Sequence, residues 1–195
     1  MCLSTPTLMN TANEKSRGYY KIKGAADAFN FDFKDKVVLD IGSSTGGFTE
    51  YALEHGAKKV IAVEKGTNQM KSPLSSNPRI ELHEKTDVFD FVATPDVILA
   101  DVSFIPLTKI LKYAKMNLSR SNTNFLVMLK PQFETTNPAD LVRGIVKNEK
   151  LRRQIIKNFE TWLKQNGFLV IKKRDNILQG KHGNTERFYW LQLAR

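Results

Sequence analysis

The chain has 195 residues, 41% of them hydrophobic, and a formal net charge of +10. This length fits one domain with a single sizeable core. The sequence has no apolar run of roughly 18 residues that would predict a membrane span and no secretory segment near the N-terminus. The one cysteine, Cys2, and three dispersed histidines argue against a disulfide framework and a metal site. We therefore expect a soluble, cytoplasmic protein without a metal centre.

The positive charge is concentrated in three groups, at residues 15–23, 147–153 and 172–181. Such clusters are typical of a protein that binds a polyanion, chiefly nucleic acid, although they can also serve solubility alone. An anionic membrane surface is the competing partner. It is less favoured because the basic residues lie at predicted element ends and in loops, not along one amphipathic helix.

The N-terminal part predicts little regular structure. Residues 1–15 have no periodicity and are expected to form a flexible lead-in, followed by a short helix around residues 24–29. From Lys36 onward, short apolar runs alternate with helical patterns. The predicted strands are 37–41, 59–63, 80–83, 96–100 and 125–129. The predicted helices are 47–55, 107–118 and 149–165, with a loop over 130–148.

The C-terminal part predicts a reversal of chain direction. Two strand-like runs, 168–172 and 187–193, are joined by about 14 residues without a helical pattern, too little for a parallel crossover. We predict an α/β fold for residues 16–195: a Rossmann-like, mostly parallel, doubly wound sheet with one antiparallel strand near its C-terminal edge. This arrangement is more typical of a methyltransferase than of a dehydrogenase.

A glycine-rich turn, residues 42–47, follows the first strand and opens the next helix. Its spacing, Asp-x-Gly-x-x-x-Gly-Gly, matches neither the dinucleotide fingerprint nor a phosphate-binding loop, which disfavours NAD and ATP. Glycines let the backbone approach a ligand, and the free amides of the helix start can accept carboxylate or hydroxyl groups. An ordinary strand-to-helix turn with spare glycines is the alternative interpretation.

Glu64 strengthens the cofactor hypothesis. It ends the second strand, 24 residues after Asp40, where an acid can accept hydrogen bonds from ribose hydroxyls. Because Glu64 would bind a free ribose diol and not a phosphate, S-adenosyl-L-methionine fits this position.

Polar residues end the later strands as well, and ligands of open α/β sheets bind beyond those ends. Asp101 follows one strand and is either a site residue or a cap of the next turn or helix. Lys130 ends a very apolar strand and either extends to water or is partly buried. Desolvation of a partly buried amine favours its neutral form, which can act as a base.

Five sequence blocks together resemble one known family. The chain resembles the hemolysin-A (TlyA) family of ribosomal RNA 2′-O-methyltransferases, which belongs to the wider FtsJ-type RNA ribose methyltransferases. The matching blocks are Ser16-Arg17-Gly18 through Lys21, residues 40–49, residues 100–105, Lys130-Pro131-Gln132-Phe133-Glu134 and Gly183-Asn184-Thr185-Glu186.

The resemblance implies a catalytic tetrad around the target ribose, formed by Lys21, Asp101, Lys130 and Glu186. Lys130 is the expected base, with Asp101 and Glu186 orienting the ammonium groups. Outside the family context, Lys21 and Glu186 would be taken as ordinary solvated charges.

The resemblance also implies a site for S-adenosyl-L-methionine, with Asp87 near the adenine. The predicted cofactor-binding residues are Asp40, Gly42, Ser43, Ser44, Thr45, Gly46, Gly47, Phe48, Glu64, Asp87 and Asp101. The implied partner is structured RNA, with ribosomal subunits as the expected form; the oligomeric state stays open. Members of the family carry an N-terminal RNA-binding domain, for which the residues before Ser16 are too few. The chain is therefore expected to be either part of a longer protein or a short homologue.

Two further classes of function are weighed against an enzyme. One is a cofactor-binding, RNA-associated module without independent catalysis, which an intact tetrad argues against. The other is a cytolysin, which the historical family name suggests and which no amphipathic pore segment or secretion signal in the sequence supports.

Overall fold

A computed structural model of the protein describes residues 15–135, 137–178, 180 and 183–194. The predicted lead-in therefore lies almost entirely outside the described residues, as do Cys2 and His182. No helix in the described ranges is both long enough and apolar enough to cross a bilayer.

The described elements alternate as the sequence predicts. The five helices are α1 (Arg17–Phe29), α2 (Gly47–Glu54), α3 (Leu107–Asn117), α4 (Pro131–Glu134) and α5 (Glu149–Gln165). The seven strands are β1 (Val37–Ile41), β2 (Lys59–Val63), β3 (Ile80–His83), β4 (Val97–Ala100), β5 (Asn124–Leu129), β6 (Phe168–Asp175) and β7 (Arg187–Leu193).

The strands form one sheet in the order β3-β2-β1-β4-β5-β7-β6. Strands β1 to β5 pair in parallel, whereas β7 is antiparallel to both of its neighbours. The predicted fold class, with one reversed strand near the C-terminal edge, is confirmed. The sequence did not predict that β7 inserts between β5 and β6.

Apolar side chains cover both faces of the sheet. One core cluster packs α3 and α5 on one face, and the other packs α1 and α2 on the opposite face. Helix α5 contributes Ile155, Phe159 and Leu163 to the core as buried residues. Helices on both faces leave the two ends of the sheet open to ligands.

Helix α1 is longer than predicted. It begins at Arg17, where the Ser16 hydroxyl accepts a hydrogen bond from the backbone N–H of Tyr19, as an N-cap residue does. The basic segment expected to precede the helix therefore forms its first turns. This brings Lys21 onto a buried helix face.

The predicted loop over 130–148 is also more ordered than expected. It contains α4, a 3₁₀ turn over Pro138–Asp140 and an isolated antiparallel bridge between Val142 and Ile145. A four-residue helix has too few positions to show a helical period, so α4 could not be predicted from periodicity. Strand β6 also runs three residues further than predicted, to Asp175.

Candidate active site

A cavity of about 820 Å³ lies beyond the carboxyl ends of the parallel strands. Its walls come from the glycine turn, the ends of β2 and β4, residues 86–89 and Lys130. Ten of the eleven predicted cofactor-binding residues line it: Asp40, Gly42, Ser43, Ser44, Thr45, Gly47, Phe48, Glu64, Asp87 and Asp101. Gly46 is the exception.

The glycines of the turn have separate roles. Gly46 has φ +87° and caps α2, and a Cβ there would lie 2.4 Å from the Leu74 side chain. A Cβ on Gly47 would lie 2.3 Å from the Ser16 hydroxyl, so this glycine lets the starts of α1 and α2 approach each other. Gly46 is thus a structural residue behind the cavity wall.

Asp40 is a buried carboxylic acid at the base of the cavity. The Thr49 hydroxyl donates a 2.7 Å hydrogen bond to its Oδ2 atom. Within the described part of the chain its Oδ1 atom, like the Oγ atom of buried Ser43, has no hydrogen-bond partner. Burial, and secondarily the negative charge of Asp101, raises the pKa of Asp40 to about 7. The end of β1 and the turn that follows it therefore each leave one buried polar atom without a partner among the described residues.

Glu64 joins the second strand to the glycine turn. Its carboxylate accepts hydrogen bonds from the backbone N–H of Ser44 at 2.9 Å and of Gly66 at 2.6 Å. Gln69 donates a third at 3.2 Å. Since each carboxylate oxygen has two lone pairs, acceptor capacity remains for a ligand hydroxyl. Its predicted contact with ribose stays a prediction.

Asp87 also lines the cavity. Its carboxylate pairs with the Lys65 ammonium at 2.9 Å and accepts a hydrogen bond from the backbone N–H of Phe89 at 3.1 Å. The Lys65 ammonium holds the pKa of Asp87 below its usual range. These contacts fix Asp87 at the wall; its proximity to adenine stays a prediction.

Asp101 and Lys130 form an ion pair at the cavity wall. The Lys130 Nζ lies 2.6 Å from Asp101 Oδ1 and donates a 2.8 Å hydrogen bond to the Ser103 hydroxyl. Only 11% of the Lys130 side chain is exposed, so the partly buried alternative holds. The cap alternative for Asp101 is wrong at helix α3, whose N-cap residue is Pro106.

Lys21 and Glu186 form a second, more deeply buried ion pair. Their charged atoms are 2.6 Å apart, and the side chains are 9% and 3% exposed. Neither residue lines the large cavity. The solvated-charge alternative is therefore wrong for both.

The sheet places the two ion pairs at the same edge. Leu129 of β5 pairs with Arg187 of β7. Lys130 comes directly after Leu129 and Glu186 directly before Arg187, so both lie at the same end of these two strands. Ile41 pairs with Ala100 in the same way, which sets the glycine turn beside Asp101. The structure brings the four predicted catalytic residues to one end of the sheet as two pairs; their catalytic roles stay predictions.

Two residues at this end were not singled out from the sequence. Phe104 has φ +65°, is 91% exposed and lies against Phe133 with ring centroids 5.2 Å apart. Glu134 accepts a hydrogen bond from the backbone N–H of Leu107, and its burial raises its pKa to about 6. Their positions in the Asp101 and Lys130 blocks were the only available signal.

Across the residues that the structure describes, no group of three or more His, Cys, Asp or Glu side chains could hold a metal ion.

A doubly wound sheet with a reversed strand β7, and a glycine-turn cavity at the carboxyl ends of its parallel strands, is the arrangement expected of a Rossmann-like methyltransferase. The family model for FtsJ-like methyltransferases matches residues 15–193. The chain belongs to the FtsJ-like methyltransferase family.

Similar proteins agree with this assignment. The 23S rRNA (cytidine-2′-O)-methyltransferase TlyA of Campylobacter jejuni is 36% identical over 178 residues, which are 90% of this chain and 69% of the relative. Hemolysin A of Brachyspira hyodysenteriae is 35% identical over 178 residues, covering 88% and 73%. Among solved structures, a "Putative hemolysin from Streptococcus thermophilus" has a TM-score of 0.87 and 31% identity, covering 95% of this chain and 69% of that one. The predicted resemblance to the hemolysin-A family is confirmed.

Proposed function

We propose that the protein transfers a methyl group from S-adenosyl-L-methionine to a ribose 2′-hydroxyl of structured RNA, with ribosomal RNA as the substrate. The observation that carries the proposal is the partly buried Lys130–Asp101 ion pair in the wall of the glycine-turn cavity. The relatives from C. jejuni and from Mycobacterium tuberculosis, the latter 31% identical, are both named rRNA (cytidine-2′-O)-methyltransferases, which supports the same reaction.

The residues of the cavity fit S-adenosyl-L-methionine. A volume of about 820 Å³ lies within the range of roughly 300–1,000 Å³ typical of small-molecule sites. The unpartnered Oδ1 of Asp40 and Oγ of Ser43 can bind the amino-acid part of the cofactor. Glu64 would accept hydrogen bonds from the ribose, and Asp87 would lie near the adenine.

The reaction divides between cofactor and protein. The cofactor supplies an activated methyl group with its own leaving group. A 2′-hydroxyl is a poor nucleophile near neutral pH until a base takes its proton. Lys130 is the candidate base: Asp101 and Ser103 hold its Nζ atom at the cavity wall. The neutral amine, which has a free lone pair, would take the hydroxyl proton. The protein also has to align the hydroxyl oxygen with the methyl group.

Two features favour RNA as the methyl acceptor. The formal net charge of +10 favours a polyanion. Phe104 lines the cavity, and its 91% exposed side chain offers a surface on which an unpaired base can stack. The Lys21–Glu186 pair lies at the same end of the sheet as Lys130, on the side where we expect the RNA to bind.

Transfer of label from methyl-tritiated S-adenosyl-L-methionine to bacterial ribosomal subunits that lack 2′-O-methylation tests the proposal. We expect label in the RNA, and nucleoside analysis should find it on the ribose. Label on a base, on ribosomal protein, or on no component although the cofactor binds would contradict the proposed function.

A further inference from the structure

Helix α4 connects the two halves of the Asp101–Lys130 pair. Asp101 is followed by residues 102–106 and then by α3, which begins at Leu107, whereas Lys130 leads directly into α4. The last residue of α4, Glu134, reaches the first turn of α3. The two segments are therefore linked both by the Asp101–Lys130 ion pair and by the hydrogen bond between Glu134 and Leu107.

Glu134 supplies the cap that α3 otherwise lacks. The N-cap residue of α3 is Pro106, which makes no side-chain capping hydrogen bond. The Glu134 carboxylate accepts from the Leu107 backbone N–H through one oxygen and from the Thr108 hydroxyl, at 3.4 Å, through the other. A carboxylate at a helix N-terminus is also favoured by the helix dipole.

The segment that this cap holds is anchored in the core by Val102 and Ile105, but its middle is exposed. Ser103 and Phe104 are exposed, and Phe104 has a left-handed backbone conformation that a residue with a Cβ rarely adopts. Residues 101–106 contact the Lys130 side of the site through the Asp101–Lys130 ion pair, the Ser103–Lys130 hydrogen bond and the packing of Phe104 on Phe133. Loss of the cap would release one end of a segment that carries two partners of Lys130.

We propose that Glu134 is a positioning residue that holds residues 101–106 in register with Lys130. The expected effect on turnover rests on the proposed function, because Glu134 would act on the reaction only through Lys130, Asp101 and Ser103. Among the described contacts of Glu134, none involves a cavity residue assigned to the cofactor. Its removal should therefore lower turnover and leave cofactor affinity nearly unchanged.

Three substitutions test separately the side-chain length, the charge and the capping oxygen of Glu134. Glu134→Gln keeps an acceptor oxygen at the same reach, Glu134→Asp keeps the charge but shortens the reach, and Glu134→Ala removes both. Glu149→Ala is the matched control, since Glu149 is an exposed carboxylate in the first turn of α5.

The first readout is amide hydrogen exchange at Leu107, which does not depend on activity. We expect exchange about tenfold faster in the Ala and Asp variants and within about threefold of wild type in the Gln variant and the control. Exchange at Leu107 that is unchanged in both Ala and Asp variants would overturn the inference, even if no RNA substrate is found. The Asp variant decides the question if the Ala variant does not fold.

The second readout is methyl transfer together with calorimetric cofactor binding. We expect kcat about tenfold lower in the Ala and Asp variants, rescue by Gln, and a dissociation constant for S-adenosyl-L-methionine within about twofold throughout. Faster exchange with unchanged kcat, or equal losses of kcat and cofactor affinity, would contradict the positioning role. Absence of methyl transfer by the wild-type protein would instead count against the proposed function and leave the exchange result to decide this inference.

Discussion

Asp40 has the most strongly perturbed carboxyl group at the site. Its pKa rises from an ordinary value of 3.8 to about 7 on burial. Because the folded state binds this proton more tightly than the unfolded chain, the stability that depends on Asp40 is lost as pH rises from about 4 to above 7. The full effect is roughly 4 kcal/mol as an upper estimate.

Asp40→Asn should remove this pH dependence. The Asn oxygen can still accept from the Thr49 hydroxyl, so we expect the variant to gain in unfolding free energy over wild type between pH 5 and pH 8. Denaturant unfolding at both pH values is the measurement, with the exposed Asp32→Asn as the control. Parallel pH dependences of Asp40→Asn and wild type would contradict the assignment.

Glu64 gives a second test at the scale of single residues. Glu64→Ala removes the acceptor predicted to bind ribose and also frees the Ser44 and Gly66 amides. We expect calorimetry to show cofactor affinity reduced by about tenfold or more.

Glu84→Gln is the control for Glu64. Glu84 accepts hydrogen bonds from the backbone amides of Asn68 and Gln69 in the same loop but does not line the cavity. A Glu64→Ala protein that binds the cofactor as tightly as Glu84→Gln would contradict the ribose assignment.

At the scale of elements, strands and long helices follow from hydrophobic period and turn residues, and the predicted bounds of β1, β2, β3, α2 and α5 lie within one residue of the structure. The start of α1 and the whole of α4 could not be predicted from these patterns. The first turn of α1 is stabilised by the Ser16 cap and by close packing of Gly18 and Gly47. The Ser16 cap is a local signal of a helix start, whereas the approach of Gly18 to Gly47 is a tertiary contact that leaves little trace in local periodicity.

The turn between β1 and α2 gives a prediction about stability. Gly46→Ala places a Cβ in a left-handed conformation, 2.4 Å from Leu74, and should destabilise the protein by about 1–3 kcal/mol. Gly24→Ala is the control, since nothing lies within 4 Å of its added Cβ and it is inside α1. We expect that change to stabilise by about 0.5–1 kcal/mol. Thermal melting with equal shifts for both variants would contradict the role of Gly46.

At the scale of the whole molecule, the sequence alone predicted a parallel sheet whose carboxyl edge collects Asp40, Glu64, Asp101 and Lys130. It could not place Lys21 and Glu186 there by physical argument. Their meeting depends on the insertion of β7 beside β5 and on the packing of α1 across the sheet. The resemblance supplied both residues because it carries information about long-range contacts that local patterns lack.

The excess positive charge predicts a salt-dependent association with RNA. Phosphate contacts release counterions, so we expect the dissociation constant for a ribosomal RNA fragment to rise by about tenfold or more between 50 and 200 mM salt. Cofactor affinity, measured over the same range, should change far less. A flat salt response for RNA would argue against the basic clusters as its binding surface.

Lys130→Ala tests the central claim most directly. In single-turnover methyl transfer we expect a loss of about 10²-fold or more, with cofactor affinity within about twofold of wild type. Lys112→Ala, an exposed lysine on α3, should retain full activity. Methyl transfer by Lys130→Ala at the rate of Lys112→Ala would contradict the assignment of Lys130 as the base.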